Sequence, residues 1–468
     1  MEINPAVTFK HDRRVMHAKR PKVLIVGAGL GGLTLGAILE KTNIPYEIFE
    51  RAHKVKPLGS GITLNATVAP LLRQLGLWDE FVAMSNVVDT IQMGNEKREI
   101  QFTITSYFED AEKRFGAATR LLARPDLYDL FLKQVPKERI HFGKKILTTK
   151  QGDNGILIRC SDGTEYEGDI LVGADGAHSA IRQNLYSQLK KEGKLPASDD
   201  ASLPFSTVCL VGHTKPLSPE EIPILASDKC EWGLYTTVHK RICWSVAQFL
   251  DSESSKENDS FRNSEWGPEA AGAMCEQVRD FPVYVGGDKK LTLGDLIDWS
   301  DKEYISKVML EEKVLNTWYG CRTVLIGDAC HKFNPSGGAG AVNAMHDATV
   351  LANYINALPF HPVVSEIKHA FEQYRSDRIE WAEKAYTSSR TIQSFVAKGV
   401  KPMINRFVVR NMPEFVKRKV TEQMYSCRPQ GAFLPLDKTE TLVKAVPQPS
   451  LSAKAPKESD DGNSTKTV

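Results

Sequence analysis

The sequence predicts an α/β protein, α+β when taken whole, and three observations carry that class. Residues 22–26 (KVLIV) are a short β-branched run, residues 34–41 have a helix-forming pattern and residues 46–49 are a second apolar run, which reads as strand, helix, strand. Residues 205–212, 231–237 and 241–249 are strand-like, with His239-Lys240 as a turn between the last two, which describes a separate and mostly antiparallel sheet. The α/β patterning returns at residues 323–326 and runs into a long helical stretch from Ala341. The chain thus leaves a first body and comes back to it.

In order along the chain, residues 1–20 are a polar, basic arm without the apolar stretch of a secretory signal. The first body is assigned to residues 21–76, 121–186 and 320–395, with a helical pattern at 121–135 and a hairpin over 155–164 that leads to a buried strand at 169–172. Residues 77–120 and 187–319 are assigned to the inserted sheet. Residues 396–443 read as a helical, basic C-terminal segment, and 444–468, rich in Pro, Ser, Lys and Asp, as a disordered tail. Among 468 residues, 60 basic side chains against 58 acidic ones leave a net charge of +2, so no global field would hold nucleic acid. The 8 cysteines include no CxxC pair, which argues against structural zinc and a disulfide scaffold, and the N-terminus without a secretory signal sets the expectation of a cytoplasmic chain. No run reaches the ~18 apolar residues of a membrane span.

Chemistry is first visible at Gly27-Ala-Gly29-Leu-Gly-Gly32, a GxGxxG between the first strand and the first helix. The first Gly permits the tight turn, the second lets the backbone approach a pyrophosphate, and the third lets helix and strand pack closely. The helix N-terminus then presents free N–H groups to phosphate. Glu50 follows Gly32 by 18 residues, at the end of the second strand, where a carboxylate accepts hydrogen bonds from a ribose diol.

Four further stretches extend this pattern: Gly59-Ser-Gly61-Ile62, Arg124 within ARPDLYDLF, Asp175-Gly176 within ILVGADGAHSAIR, and Gly327-Asp328 within VLIGDACHKFNPSGGAGAVNAMHDA. With them the chain resembles the single-component flavoprotein monooxygenases of the aromatic hydroxylase type, and is similar to fungal secondary-metabolite FAD monooxygenases and epoxidases. The resemblance implies a Rossmann-like FAD-binding domain interleaved with a substrate sheet, non-covalent FAD, and NADPH or NADH as a transient hydride donor. It implies hydroxylation or epoxidation of a largely apolar aromatic or terpenoid small molecule with O2, through a flavin C4a-hydroperoxide. It also implies that Asp175 and Gly176 lie near the pyrophosphate and the donor route, that Asp328 holds ribityl or ribose hydroxyls, and that Arg124 and Gly61 lie against the cofactor. No catalytic side chain is identified. A flavin reductase or oxidase of the same fold, without oxygen insertion, is the alternative.

The last motif also has a physical reading. Pro335 fixes a turn, and Gly337, Gly338 and Gly340 leave N–H groups bare where a helix after Ala341 begins. Such an N-terminus favours the negative charge that reduced flavin carries on its N1–C2=O edge. The sequence departs from the family's PxxGQGxN: Ala339 stands for the Gln, Val342 for the Asn, and His346 for the acid that precedes the final Asp, which leaves backbone recognition only. Trp232, Tyr235 and Trp244 are candidate pocket walls, with core packing as the alternative. Cys330 and His331 are read as no metal site, because adjacent side chains point apart.

Within residues 401–422, Ile404, Phe407, Val408, Met412, Phe415, Val416 and Val420 recur at helical spacing, and six basic residues against two acidic ones give +4. This basic amphipathic stretch, which Pro413 splits into two short helices, predicts peripheral contact with an intracellular membrane. The alternative is that the stripe packs back onto the first body.

Overall fold

A computed structural model describes residues 19–54, 59–94, 100–104, 110–217, 230–231, 234–254, 268–283, 290–396, 404, 407–408 and 411–453. Strand β1 (Val23–Val26) is buried at every position, as a central parallel strand covered on both faces must be. It pairs in parallel with β2 (Tyr46–Glu50) on one side and with Ile170–Gly173 on the other. The six-stranded sheet continues through Thr323–Leu325 to an antiparallel edge, Tyr319–Gly320, and ends on the far side at Ile140–Phe142. Helix α1 (Leu30–Leu39) is buried over almost its whole length, because the sheet covers one face and helix Ala339–Ala357 the other. The two helices pack at Gly31, where an added Cβ would be in ordinary contact with the Ala344 Cβ at 3.4 Å.

The inserted layer is a seven-stranded sheet in the order Ser306–Glu311, Phe205–His213, Ile242–Ser254, Leu234–Thr236, Cys230–Glu231, Ile91–Gly94, Ile100–Ile104. Its pairings are antiparallel except between Cys230–Glu231 and Ile91–Gly94. Helices Pro268–Val278 and Leu293–Asp298 help to build its own core around Leu210, Trp244, Met274 and Leu296. Of residues 77–120, those described within 91–104 join this sheet. Leu77 and Phe81 instead bury their apolar side chains in the first core, and Phe115 packs with Tyr425.

Two C-terminal expectations are corrected. After the long helix Val364–Val396, helicity over the fully described stretch 411–443 is confined to Glu414–Met424, and residues 425–443 run as irregular chain across the first body. Residues 444–453 are ordered as well: Asn353 Nδ2 donates to Ser450 Oγ at 3.1 Å, and Gln448 bonds the backbone of Gln430 through both ends of its amide. Polar composition misled here because these side chains find specific partners on the first body. Residues 1–18 and 454–468 lie outside the described ones. Among the described residues, no helix is long and apolar enough to cross a membrane.

Candidate active site

The glycine loop is shaped by contacts that exclude any side chain. Gly27 has φ +106°, and a Cβ there would lie 2.4 Å from the Ala174 carbonyl oxygen; at Gly32 a Cβ would lie 2.0 Å from the Gly27 carbonyl oxygen. Glu50 braces this loop from the end of β2, its Oε2 accepting from Ala28 N at 3.0 Å and its Oε1 from Ala52 N at 2.9 Å. The backbone of Asp175 abuts the same loop, since the Gly27 Cβ would also lie 2.9 Å from its Cα. Its carboxylate, however, turns to the start of helix Ala180–Lys191, accepting from Ala180 N at 2.7 Å, Ile181 N at 3.2 Å and the Ser179 hydroxyl. Burial pushes that carboxyl above the ordinary range, and these bonds pull the other way. Arg182 on this helix donates to the carbonyls of Ala329 and Ala177, which ties the second motif to the third.

Strand pairing brings the next group in. Gly61–Leu64 runs antiparallel to Arg120–Ala123, so the turn into helix Arg124–Leu132 lands beside it and Arg124 N donates to Ser60 O at 3.0 Å. The Arg124 side chain passes under Gly59, where a Cβ would lie 2.9 Å from its Cδ. It is reachable by solvent from the cleft, although protein packs densely around it, and it lies within electrostatic reach of Asp328. One turn on, the Tyr128 hydroxyl is pushed up to about 12 by burial and then by the charge of Glu50. Asp328 sits in the 3-10 turn Gly327–Ala329 and pairs with Lys332. Glu50, Arg124 and Asp328 thus lie in one neighbourhood beside the glycine loop, which Asp175 joins through its backbone.

Opposite the glycine loop, the turn Pro335–Gly337 delivers Gly338 at φ +59° as the N-cap of helix Ala339–Ala357, which starts two residues before the expected point. Neither this helix nor α1 has a side-chain cap or an acid in its first turn, so both present bare N–H groups and the positive end of the helix dipole. A Cβ at Gly338 would lie 2.6 Å from Thr63 Oγ1, which seats this helix start against the Gly61 strand. Ala341 is half-buried in the first turn, and Val342 points into the core. Asn343, one residue past the motif's usual Asn, is also spent internally: its Nδ2 donates to Ala339 O at 2.9 Å and its Oδ1 accepts from Arg378 at 2.7 Å.

Sequence reasoning missed two features. The role of Asp347, the fully buried final Asp of the third motif, is one: it accepts from Gly327 N at 2.9 Å and His331 Nε2 at 2.6 Å on one oxygen and from Arg378 Nε at 2.8 Å on the other. Cys330 and His331 do not point apart: with Asp347 their ligand atoms lie within 4.8 Å of one another. The Asp347 oxygens are already bonded and the Arg378 cation lies against them, so this group is an ion-pair network. The second feature is His213, at the end of strand Phe205–His213, whose Nδ1 lies 3.1 Å from Gly59 O while its ring stacks on Tyr304 at 4.8 Å. Burial holds its imidazole below the ordinary pKa, and it pins the inserted sheet to the loop beside Arg124. No sequence pattern marks a histidine at a strand end for that role. Trp244 is a core residue, its Nε1 donating to Ser300 Oγ at 3.1 Å; Trp232 and the Tyr235 side chain lie outside the described residues.

The cleft fits FAD by its own construction. An added Cβ at Gly29, Gly176 or Gly340 would meet no atom within 4 Å, while the buried hydroxyls of Ser60 and Tyr128, next to Arg124 and Glu50, have no protein hydrogen-bond partner. Room for a ligand thus coincides with two anion-favouring helix starts and with polar groups that need partners. The FAD binding domain family matches residues 20–220 and 295–387. The FAD-dependent monooxygenase paxM of Penicillium paxilli is 29% identical over 387 residues, covering 80% of this chain and 78% of that protein. The FAD-dependent monooxygenase olcE of Penicillium canescens is 30% identical over 400 residues, covering 82% and 83%. Among solved structures, Klebsiella pneumoniae HpxO complexed with FAD and uric acid shares the fold with a TM-score of 0.67 at 17% identity, covering 87% of this chain and 97% of that one. Tetracycline destructase Tet(51) does so with a TM-score of 0.62 at 15% identity, covering 94% and 100%. On the glycine loop, the paired helix starts and these likenesses together, the chain belongs to the FAD-binding family of the FAD-dependent monooxygenases.

Proposed function

We propose that the protein takes hydride from NADPH or NADH and uses O2 to hydroxylate or epoxidise a largely apolar small molecule, aromatic or terpenoid. What supports this reading is that α1 and helix Ala339–Ala357, packed together at Gly31 and Ala344, both begin at uncapped N-termini, and that His213 of the inserted sheet is bonded to the Gly59 loop beside Arg124. Bound FAD supplies the redox chemistry, accepting hydride and then activating oxygen. The chain's own residues bind, orient and shield. The α1 start and the glycine loop take the pyrophosphate, the Ala339 helix start favours negative charge on the ring, and Glu50 and Asp328 take sugar hydroxyls. His213 holds the Gly59 loop between the two layers, where water must be excluded. Electron-rich rings and double bonds are the acceptors that electrophilic oxygen requires.

The test is to screen compounds that accelerate NAD(P)H oxidation by the purified yellow protein, then to follow labelled O2 into product by mass spectrometry. A gain of one labelled oxygen is expected. Conversion of substrate with no label in any product would replace this reading with that of a flavin reductase or oxidase. For cofactor binding, Glu50→Ala and Asp328→Ala each remove charge-assisted hydrogen bonds worth ~1.5–3 kcal/mol, so FAD affinity should fall by roughly ten- to a hundredfold. Fluorescence titration of apoprotein with FAD reads this, and unchanged affinity in either variant would remove that residue from the cofactor set.

A further inference from the structure

We propose that the apolar, basic surface spanning the described residues between Ile404 and Met424 docks on an anionic lipid bilayer. Sequence alone left open whether this stripe packs back onto the first body; the structure turns it outward. Phe407 is 67% exposed and Phe415 73%, and Ile404, Val408, Val420 and Met424 are exposed with them.

The helix Glu414–Met424 cannot simply roll to bury that face. Thr421 and the following Tyr425 are buried, and the Tyr425 ring stands edge-on to Phe115 at 4.9 Å. Arg114 reaches up to the Arg418 carbonyl at 3.4 Å and the Glu422 carboxylate at 3.3 Å. At 100° per residue, with Thr421 and Tyr425 facing inward, Phe415, Val416, Lys419, Val420 and Gln423 fall on the outward arc. Lys419 is exposed among them.

The mixture of chemistries selects the occupant. Lysine is depleted from the cores of protein interfaces, whereas a bilayer surface takes aromatic and aliphatic side chains at its acyl boundary and cations at its head groups. The sequence of 401–422, at +4, complements an anionic leaflet. The position also suits the proposed reaction. The helix Val364–Val396 that leads to this segment touches the inserted sheet, Gln393 Nε2 donating to Thr207 Oγ1 at 2.7 Å. The lipid-facing segment therefore follows in sequence on an element that contacts the layer assigned to hold substrate. Binding to lipid itself does not depend on the catalytic reading and is measured without turnover.

The experiment is sedimentation of the full-length, FAD-loaded protein with vesicles of phosphatidylcholine alone or with 30 mol% phosphatidylserine, at low and at high salt. Co-sedimentation with the anionic vesicles at low salt is expected, weakened by salt and much reduced on the neutral ones. Phe407→Ser/Phe415→Ser should lower the partition at least tenfold with bound flavin and melting temperature unchanged. Lys419→Gln should lower it about fivefold, the equivalent of ~1 kcal/mol for one cation at an anionic surface. Absence of binding to anionic vesicles overturns the proposal. So does unfolding of the double serine variant, which would show a core face, or its conversion of a wild-type oligomer to monomer, which would show a self-association face.

Discussion

Replacing Arg378 with Met is expected to destabilise the protein by about 3–5 kcal/mol, a large share of the ~5–15 kcal/mol that separates a native domain from its unfolded state. The Arg378 side chain is 1% exposed and that of Asp347 is fully buried. Arg378 gives Asp347 a 2.8 Å hydrogen bond from Nε and gives Asn343 another from its second terminal nitrogen. Burial alone would push the Asp347 carboxyl up, but the charges of His331 and Arg378 outweigh it and hold the group well below the ordinary carboxylate range. Without Arg378 the carboxylate keeps its desolvation and loses one of its two charged partners. The damage should reach the cofactor, because Asp347 also holds Gly327 N, and Gly327 places Asp328. FAD binding should therefore weaken in a variant whose substitution touches no cofactor atom. The pair Asp347→Leu/Arg378→Met should recover only part of the lost stability, since it removes the orphaned carboxylate but leaves the Gly327 N–H and the buried His331 ring without their acceptor. Chemical denaturation of the three proteins checks this; a melting curve of Arg378→Met that overlays the wild type would show that the network contributes nothing. In the folded protein the lowered Asp347 pKa adds stability that is present above the unfolded value of ~3.9 and is lost as pH falls through the folded one. It therefore protects the neutral range and gives no account of weakening at mildly acidic pH.

The parts of the site that were legible are those in which local backbone geometry permits one residue type. Gly27 and Gly32 have carbonyl oxygens 2.4 Å and 2.0 Å from where a side chain would begin, and the strand before and helix after them follow from short-range apolar patterns. Asp175 shows the limit of a motif. Its backbone abuts the glycine loop, while its carboxylate caps a helix, a choice made by Ser179 and the free amides of that helix start. The Arg378–Asp347 pair was not legible, because the partners stand 31 positions apart on two successive helices and no periodicity marks a buried arginine on the long helix. Residues 444–453 failed for a related reason. Their composition is that of a solvated tail, but Gln448 and Ser450 each have a partner fixed by the fold, and composition carries no information about distant partners.

Acid should weaken the fold through His346. The side chain is buried beside the same network, its Nε2 3.3 Å from the Thr67 carbonyl oxygen, and burial together with the nearby Arg378 cation lowers its pKa to about 3; the Thr67 bond and the Asp347 charge oppose this only in part. In the unfolded chain the imidazole titrates near ~6.5. Between those two values the unfolded chain binds a proton that the folded chain does not, so this contribution is complete above pH ~6.5 and is lost as pH falls toward the folded value, at up to ~1.4 kcal/mol per pH unit. At pH 5 the loss should be about 2 kcal/mol. His213, whose pKa burial also lowers, adds a slope of the same sign, so the wild-type curve alone does not assign the effect. His346→Gln separates the two, because glutamine offers an N–H to the Thr67 carbonyl and does not titrate. Urea denaturation at pH 7.5, 6 and 5 should show the variant losing about 2 kcal/mol less than the wild type between the first and last points. Equal losses in the two proteins would mean that the histidine standing where this family commonly has an acid does not set the acid limit of the fold.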